Sequence, residues 1–317
     1  MRRLRYALEY ALLRLALALL AIVPVRAASR CAVTVADVFY VLAAKRRRSA
    51  IANILLSGVR SDAQAAARLA RASFRHFAVL AIEALKAGPF FERHDWRRSV
   101  EWHISPEVDR VLREPGAGVL LASGHIGNWE VAAQLISALK PVMGITRRMN
   151  NPYAERLVQR YKPRNRFYLA PKHDAGIDRF LDALGKGHVL AIMIDQHARD
   201  RGMAIPFLGR PAATHTGIAM LHLITNTPLV FGYCLRTGPM RYSFHATGPF
   251  HHKRTGDKAA DVRAILTQLT NELENAVREH PEQYLWGHRR WKIKAPAENG
   301  HDTAVSRTAE EKGTGPK

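Results

Sequence analysis

The chain has 317 residues, 47% apolar and 24% charged, which makes it long enough for one large domain or two modest ones and too apolar to be disordered. Its net charge of +21 sits in the body of the protein, because residues 295–317 hold three basic residues and four acids. Such a field suits nucleic acid, an anionic membrane or a phosphorylated substrate, while two cysteines 203 positions apart give neither a disulfide framework nor a cysteine metal cage.

The first element is the apolar run Leu4 to Val25, interrupted only by Arg5, Glu9 and Arg14. As a helix its 22 residues would reach about 33 Å, enough for a bilayer core. Only Leu15–Val25 is free of charge, and basic residues flank both ends, so the positive-inside rule leaves orientation open. Residues 1–30 are therefore expected to form an N-terminal membrane anchor, shallow or single-pass. The small residues of "VRAAS" suggest a cleaved signal peptide, against which Arg14 and the lack of a disulfide-rich domain argue. Cys31 and Cys234 stand among apolar residues and read as core filler in a reducing, cytosol-facing compartment.

Residues 31–113 read as a helical N-terminal region. A long amphipathic helix is predicted over 61–87, capped by Ser61 or Asp62 and stopped by Gly88-Pro89, and a short one opens at Ser105-Pro106. From 114 to 294 the pattern changes: "VLLAS", "PVMGIT", "RFYLA", "HVLAIMID", "PLVFGYCLR" and "RYSFHATG" read as strands, with helical spacing over 128–140, 151–162, 175–187, 216–227 and 257–280. This alternation predicts an α/β core with a mostly parallel central sheet flanked by helices. Residues 295–317 are expected to be a disordered tail.

In such sheets chemistry gathers beyond the carboxyl ends of the strands. His125 follows the first strong strand, and Asp195 ends the central one. In "HIGNWE", His125 and Glu130 would diverge by about 140° if both were mid-helix. They could meet if His125 sat in the preceding turn, where Gly124 and Gly127 permit a sharp bend. A carboxylate on one ring nitrogen then makes the other a base for a hydroxyl, beside the free N–H groups of a helix start. The plainer alternative is a capping histidine with a glutamate favouring the helix dipole. No G-x-S-x-G, H-E-x-x-H or P-loop motif is present, so serine hydrolase, zincin and nucleotide-triphosphatase readings lose support.

"HIGNWE", "TRRMNNPY", "IDQ", "IPFLGRPAATHTG" and "PEQYLWGHRRWK" follow in an order and spacing that resemble the bacterial lipid A biosynthesis acyltransferases, within the wider H-x4-D/E glycerolipid acyltransferases. The resemblance implies transfer of a fatty acyl chain from acyl carrier protein to a hydroxyl of a phosphorylated, acylated glucosamine disaccharide. The reaction would take place at the cytoplasmic face of the inner membrane, without metal or other cofactor. It also implies His125 as general base and Glu130 as the carboxylate that orients it. Arg147 matches the family arginine, though Thr146 and Arg148 depart from the usual Tyr and Pro beside it. Asp195 and Gln196 would hold Arg147 or a sugar hydroxyl, and Arg210 belongs to a loop where His215 replaces a common proline. Arg289 and Arg290 would meet lipid phosphates, with Trp286 and Trp291 at the membrane interface. A related acyltransferase with a lysophospholipid, ornithine-lipid or phosphoinositide-mannoside acceptor is the rival enzyme. The non-enzyme rival is a basic binder of membrane or nucleic acid. It explains the charge but not the ordered motifs, and no base-reading recognition helix is visible.

Overall fold

The fold is seen in a computed structural model that describes residues 2–146, 149–160, 166–171, 176–198 and 202–291. The expected tail lies outside the described residues. The alternation of apolar runs and amphipathic segments becomes a seven-stranded sheet in the order β1-β9-β8-β2-β5-β3-β4, beside a separate hairpin of β6 and β7. The strands are β1 Val100–Ile104, β2 Val119–Ser123, β3 Val142–Thr146, β4 Phe167–Pro171, β5 Val189–Met193, β6 Met203–Phe207, β7 Arg210–Thr214, β8 Leu229–Gly238 and β9 Arg241–Phe250. All neighbours in the large sheet pair in parallel except β8 and β9. The predicted fold class is thus the observed one.

Every side chain of β2 is buried. A strand that is apolar on both faces suits the middle of a parallel sheet, where helices cover both sides. One cover holds α5 Pro106–Arg113 and α6 Trp129–Leu139, the other α8 Ile177–Gly185, α9 Gly217–Thr225 and α10 Lys258–Glu279. The sheet also takes in β1, from the stretch that had read as helical and charged. Its burial alternates from Val100 to Ile104, the pattern of an edge strand that shows one face to water.

Four helices precede the sheet: α1 Arg2–Ile22, α2 Val25–Leu42, α3 Ala44–Leu56 and α4 Ala63–Arg93. The N-cap of α4 is Asp62, whose side chain accepts from Ala65 N. Contrary to the predicted stop, α4 runs through Gly88-Pro89 and about one turn further, to Arg93, because Phe90 and Phe91 pack against the core below the sheet. Among the described residues no single helix is long and apolar enough to cross a membrane. α1 lies against α7 (Pro152–Arg160), with Tyr6 and Leu17 buried and Asn151 Nδ2 donating to Tyr6 O at 2.9 Å.

Glu83, fully buried on α4, ties the helical layer to the β8–β9 hairpin. It accepts from Arg236 Nε at 2.9 Å, Tyr242 Oη at 2.8 Å and Met240 N at 3.3 Å. Burial, and then the Glu83 charge, push the Tyr242 phenol well above its ordinary pKa, so it stays a donor. Glu83→Gln keeps the volume but removes the charge from three converging donors. We expect thermal or urea unfolding to report a loss of about 1.5–3 kcal/mol, the worth of a charge-assisted hydrogen bond.

Candidate active site

The site follows from strand register. β2 and β5 run in parallel with Val119 opposite Val189 and Ser123 opposite Met193. The same offset, carried two residues beyond the strand ends, sets His125 beside Asp195. Asp195 Oδ2 accepts from the His125 backbone N at 2.8 Å, and Oδ1 accepts from His125 Nδ1 at 2.8 Å. One fully buried carboxylate therefore fixes both the backbone turn and the ring. With Nδ1–H committed to Asp195, Nε2 carries the free lone pair. The carboxylate that orients the imidazole is thus Asp195 and not Glu130. Glu130 sits half-buried in the first turn of α6, whereas parallel pairing brings a residue 70 positions away into contact.

The loop carrying His125 is pinned on three sides. Gly127 N donates to Gln283 O at 2.9 Å, Asn128 N to Cys234 O at 2.6 Å, and Leu285 N to His125 O at 3.0 Å. Gly127 has φ +59°, and a Cβ there would collide with the Cys234 carbonyl. Asn128 then caps α6, its Oδ1 accepting from Val131 N at 3.1 Å, so the positive end of α6 points at the turn. His76 of α4 lies 3.2 Å from Gly127 O through Nε2. Burial depresses its pKa to about 4, so the ring is neutral and donates.

Around the His125 ring stand Trp129, with centroids 4.9 Å apart, and His288, 4.8 Å apart, both edge-on. His288 comes from the closing "PEQYLWGHRRWK" segment, from which Arg289, Arg290, Trp286 and Trp291 had been singled out but not the histidine. It is held there by Asn53 of α3, whose Nδ2 donates to Trp286 O at 2.8 Å and His288 O at 2.6 Å. The sequence cue for His288 was its place inside that segment; His76 offered none, being one histidine on an amphipathic helix.

Burial disfavours charge on His125, but the Asp195 charge and hydrogen bond outweigh it, and the net pKa lies above the usual histidine value. Asp195, despite burial, is held far below the carboxylate range by His125. Burial and the nearby His125 and Arg46 lower His288, which keeps a second cation out of the site. His125, Asp195 and His288 bring two ring nitrogens and a carboxylate oxygen within 4.8 Å of one another, a donor set able to take a divalent ion.

The other predicted residues are more dispersed. Arg147 lies outside the described residues. Gln196 and Arg289 are exposed, and Arg210 is exposed at the turn of the β6–β7 hairpin, about 13 Å along the strand from Thr214. Arg290 departs from its expected role at a lipid phosphate. It is 2% exposed, donates to Ala213 O at 3.0 Å and Thr214 Oγ1 at 2.9 Å, and lies over the Phe207 ring. A guanidinium carries enough donors and apolar face to be buried where carbonyls, an aromatic ring and the nearby Asp195 charge meet it. Trp286 is likewise 1% exposed and bonded to Pro281 O, so it is core rather than interface.

A family model described as bacterial lipid A biosynthesis acyltransferase matches residues 1–293, which takes in all four leading helices and the whole sheet. A search of curated proteins finds no match.

Proposed function

The chain belongs to the bacterial lipid A biosynthesis acyltransferases, and from that premise we propose that it moves a fatty acyl chain from acyl carrier protein to a hydroxyl of a phosphorylated lipid A precursor. The observation that carries this reading is the double hydrogen bond from His125 to Asp195 beyond the carboxyl ends of β2 and β5. His125 Nε2 takes the proton of the acceptor hydroxyl as its oxygen attacks the thioester carbonyl. The positive end of α6, with Arg147, meets the oxyanion. The carbon–sulfur bond then breaks, and His125 returns the proton to the carrier's thiolate, leaving an ester and a free thiol. Glu130 keeps its catalytic place in this reading, ordering a group other than the imidazole, and Gln196, Arg210 and Arg289 offer polar contacts to the sugar phosphates.

The reading gives no step to a metal, so a chelator leaves the rate unchanged. It places the chain on the cytoplasmic side of the inner membrane, where a net charge of +21 suits an acidic carrier, an anionic acceptor and an anionic leaflet. The test is a panel: purified enzyme in detergent, with acyl carrier protein thioesters of several chain lengths or acyl-coenzyme A, against a tetra-acylated phosphorylated glucosamine disaccharide or a lysophospholipid. The expected product is the disaccharide heavier by one acyl chain, from the carrier-protein donor. Acylation of the lysophospholipid instead would assign the acceptor to the rival enzyme.

A further inference from the structure

Cys31 was expected as core filler just past a membrane anchor over residues 1–30, but it is exposed on α2. The buried side of α2 is the small-residue row Ala28, Ser29, Ala32 and Ala36, which lies on α4. Asp37 locks that contact, accepting from Arg71 Nε at 2.8 Å and from Arg75 Nη2 at 2.6 Å. The solvent-facing side carries Cys31, Val35, Val38 and Leu42 at spacings of four, three and four, one face of a helix. Val35 is 66% exposed, Val38 55% and Leu42 76%, and Phe39 and Val41 flank them at 50% and 64%. Phe39 leans on Phe74 of α4, their centroids 6.0 Å apart, but Val35, Val38, Val41 and Leu42 stand open to solvent, and apolar surfaces of this kind mark interaction sites.

Charge and attachment identify what covers the face. Directly after Leu42 the chain turns through 91°, and the first turn of α3 carries Lys45-Arg46-Arg47-Arg48 after Ala44. Arg47 closes the elbow by donating to Tyr40 O at 3.0 Å and Val41 O at 2.8 Å. Lys45, Arg46 and Arg48 stay exposed beside the apolar face, as do Arg26 and Arg30 at its other end. Greasy side chains rimmed by cations are the signature of a helix lying in the interface of an anionic leaflet. Crossing is ruled out by attachment: Ala50 and Ile54 of α3 are buried in the core, and Asn53 is bonded to Trp286 O and His288 O. Neither helix can leave the body to span a bilayer.

We infer that the α2–α3 elbow is a membrane-docking surface of its own, separate from α1, that lies in the plane of an anionic leaflet and sets the His125–His288 mouth at headgroup depth. Burial of Val35, Val38, Phe39 and Leu42 among acyl chains supplies affinity, and Lys45, Arg46 and Arg48 supply the preference for anionic lipid. The inference does not depend on acyl transfer, so it stands or falls apart from the proposed reaction.

Cys31 reports on it directly. It is exposed on the docking face, whereas Cys234 is fully buried with its thiol pKa pushed far up by burial, so a maleimide dye labels the full-length chain at one place. With an environment-sensitive nitrobenzoxadiazole dye on Cys31, vesicles containing phosphatidylglycerol should shift the emission to the blue and cut iodide quenching severalfold. Phosphatidylcholine vesicles should do so weakly. Lipids spin-labelled near the headgroup should quench more than lipids labelled at mid-bilayer. Val38→Glu with Leu42→Glu should abolish the shift, and Lys45→Glu, Arg46→Glu and Arg48→Glu together should remove its dependence on phosphatidylglycerol. Leu8→Glu with Leu12→Glu on α1 should weaken flotation of the chain without changing the depth of Cys31 in the bound fraction. A dye that stays as open to iodide on vesicles as in buffer, or that mid-bilayer labels quench best, would overturn the inference. Failure of the unlabelled chain to float with phosphatidylglycerol vesicles would overturn it equally.

Discussion

Asp195→Asn is expected to lower kcat/KM by about 10²–10⁴ and to move the acid limb of its pH profile to lower pH. The direction follows from the sign of the shift at His125. A general base works neutral, so activity rises as pH rises through its pKa. In the native site that pKa lies above the ordinary 6.5, because the charge and hydrogen bond of Asp195 outweigh burial. With asparagine the burial remains and the charge is gone, so the pKa falls and the limb follows it down. The loss of rate has a second source. Asp195 Oδ1 can only accept from Nδ1, which fixes the tautomer, whereas an amide can also donate there and leave the proton on Nε2, the nitrogen that must take one. Glu130→Gln separates the two carboxylates. It should lower turnover by about tenfold or more while leaving the acid limb in place, since Asp195 holds the ring. A limb that moves with Glu130→Gln and stays with Asp195→Asn would reverse the assignment.

Gly127→Ala should cost about 2–4 kcal/mol of stability and about 10² in turnover, an unusual burden for one methyl group. Two independent constraints meet at this residue. Its φ of +59° is strained for any side chain, and the added Cβ would press on the backbone carbonyl of Cys234 and the Cα of Leu235, neither of which can rotate away. To relieve the clash the loop must give up its bonds to Gln283 O and Cys234 O, and those bonds set His125 against Asp195. Gly124→Ala offers the contrast. Its Cβ would meet only the side chain of Leu273, which can turn, so the loss should be smaller. Thermal unfolding of both variants, with the activity of each measured below its transition, checks the prediction. Equal and small effects would mean that the loop is free to move.

The sheet was readable where strands carry near-continuous apolar runs, as in β2 and β5, because cover on both faces favours apolar residues at successive positions. It was hidden where that signal is absent. β1 alternates exposed Glu101 and His103 with buried Val100 and half-buried Trp102 and Ile104, and the β6–β7 hairpin carries Pro206 and Pro211, which read as loop. His125 and Asp195 were both placed at strand ends, yet their contact was not legible. It depends on the offset of 70 between two parallel strands, and local spacing drew attention to Glu130 instead. Arg290 shows the same limit from the other side. Its charge is plain in the sequence, but its burial depends on Ala213, Thr214 and Phe207 meeting it from a distant hairpin.

The most direct test of the account is the mass of the acceptor after incubation with wild type and with His125→Ala, side by side, on the tetra-acylated phosphorylated disaccharide and acyl carrier protein thioester. The account predicts a gain of one acyl chain with wild type and a rate lower by about 10³ or more with His125→Ala, the two proteins unfolding at similar temperatures. Wild-type rates from His125→Ala would contradict the mechanism, and no mass gain from wild type with any chain length would contradict the function.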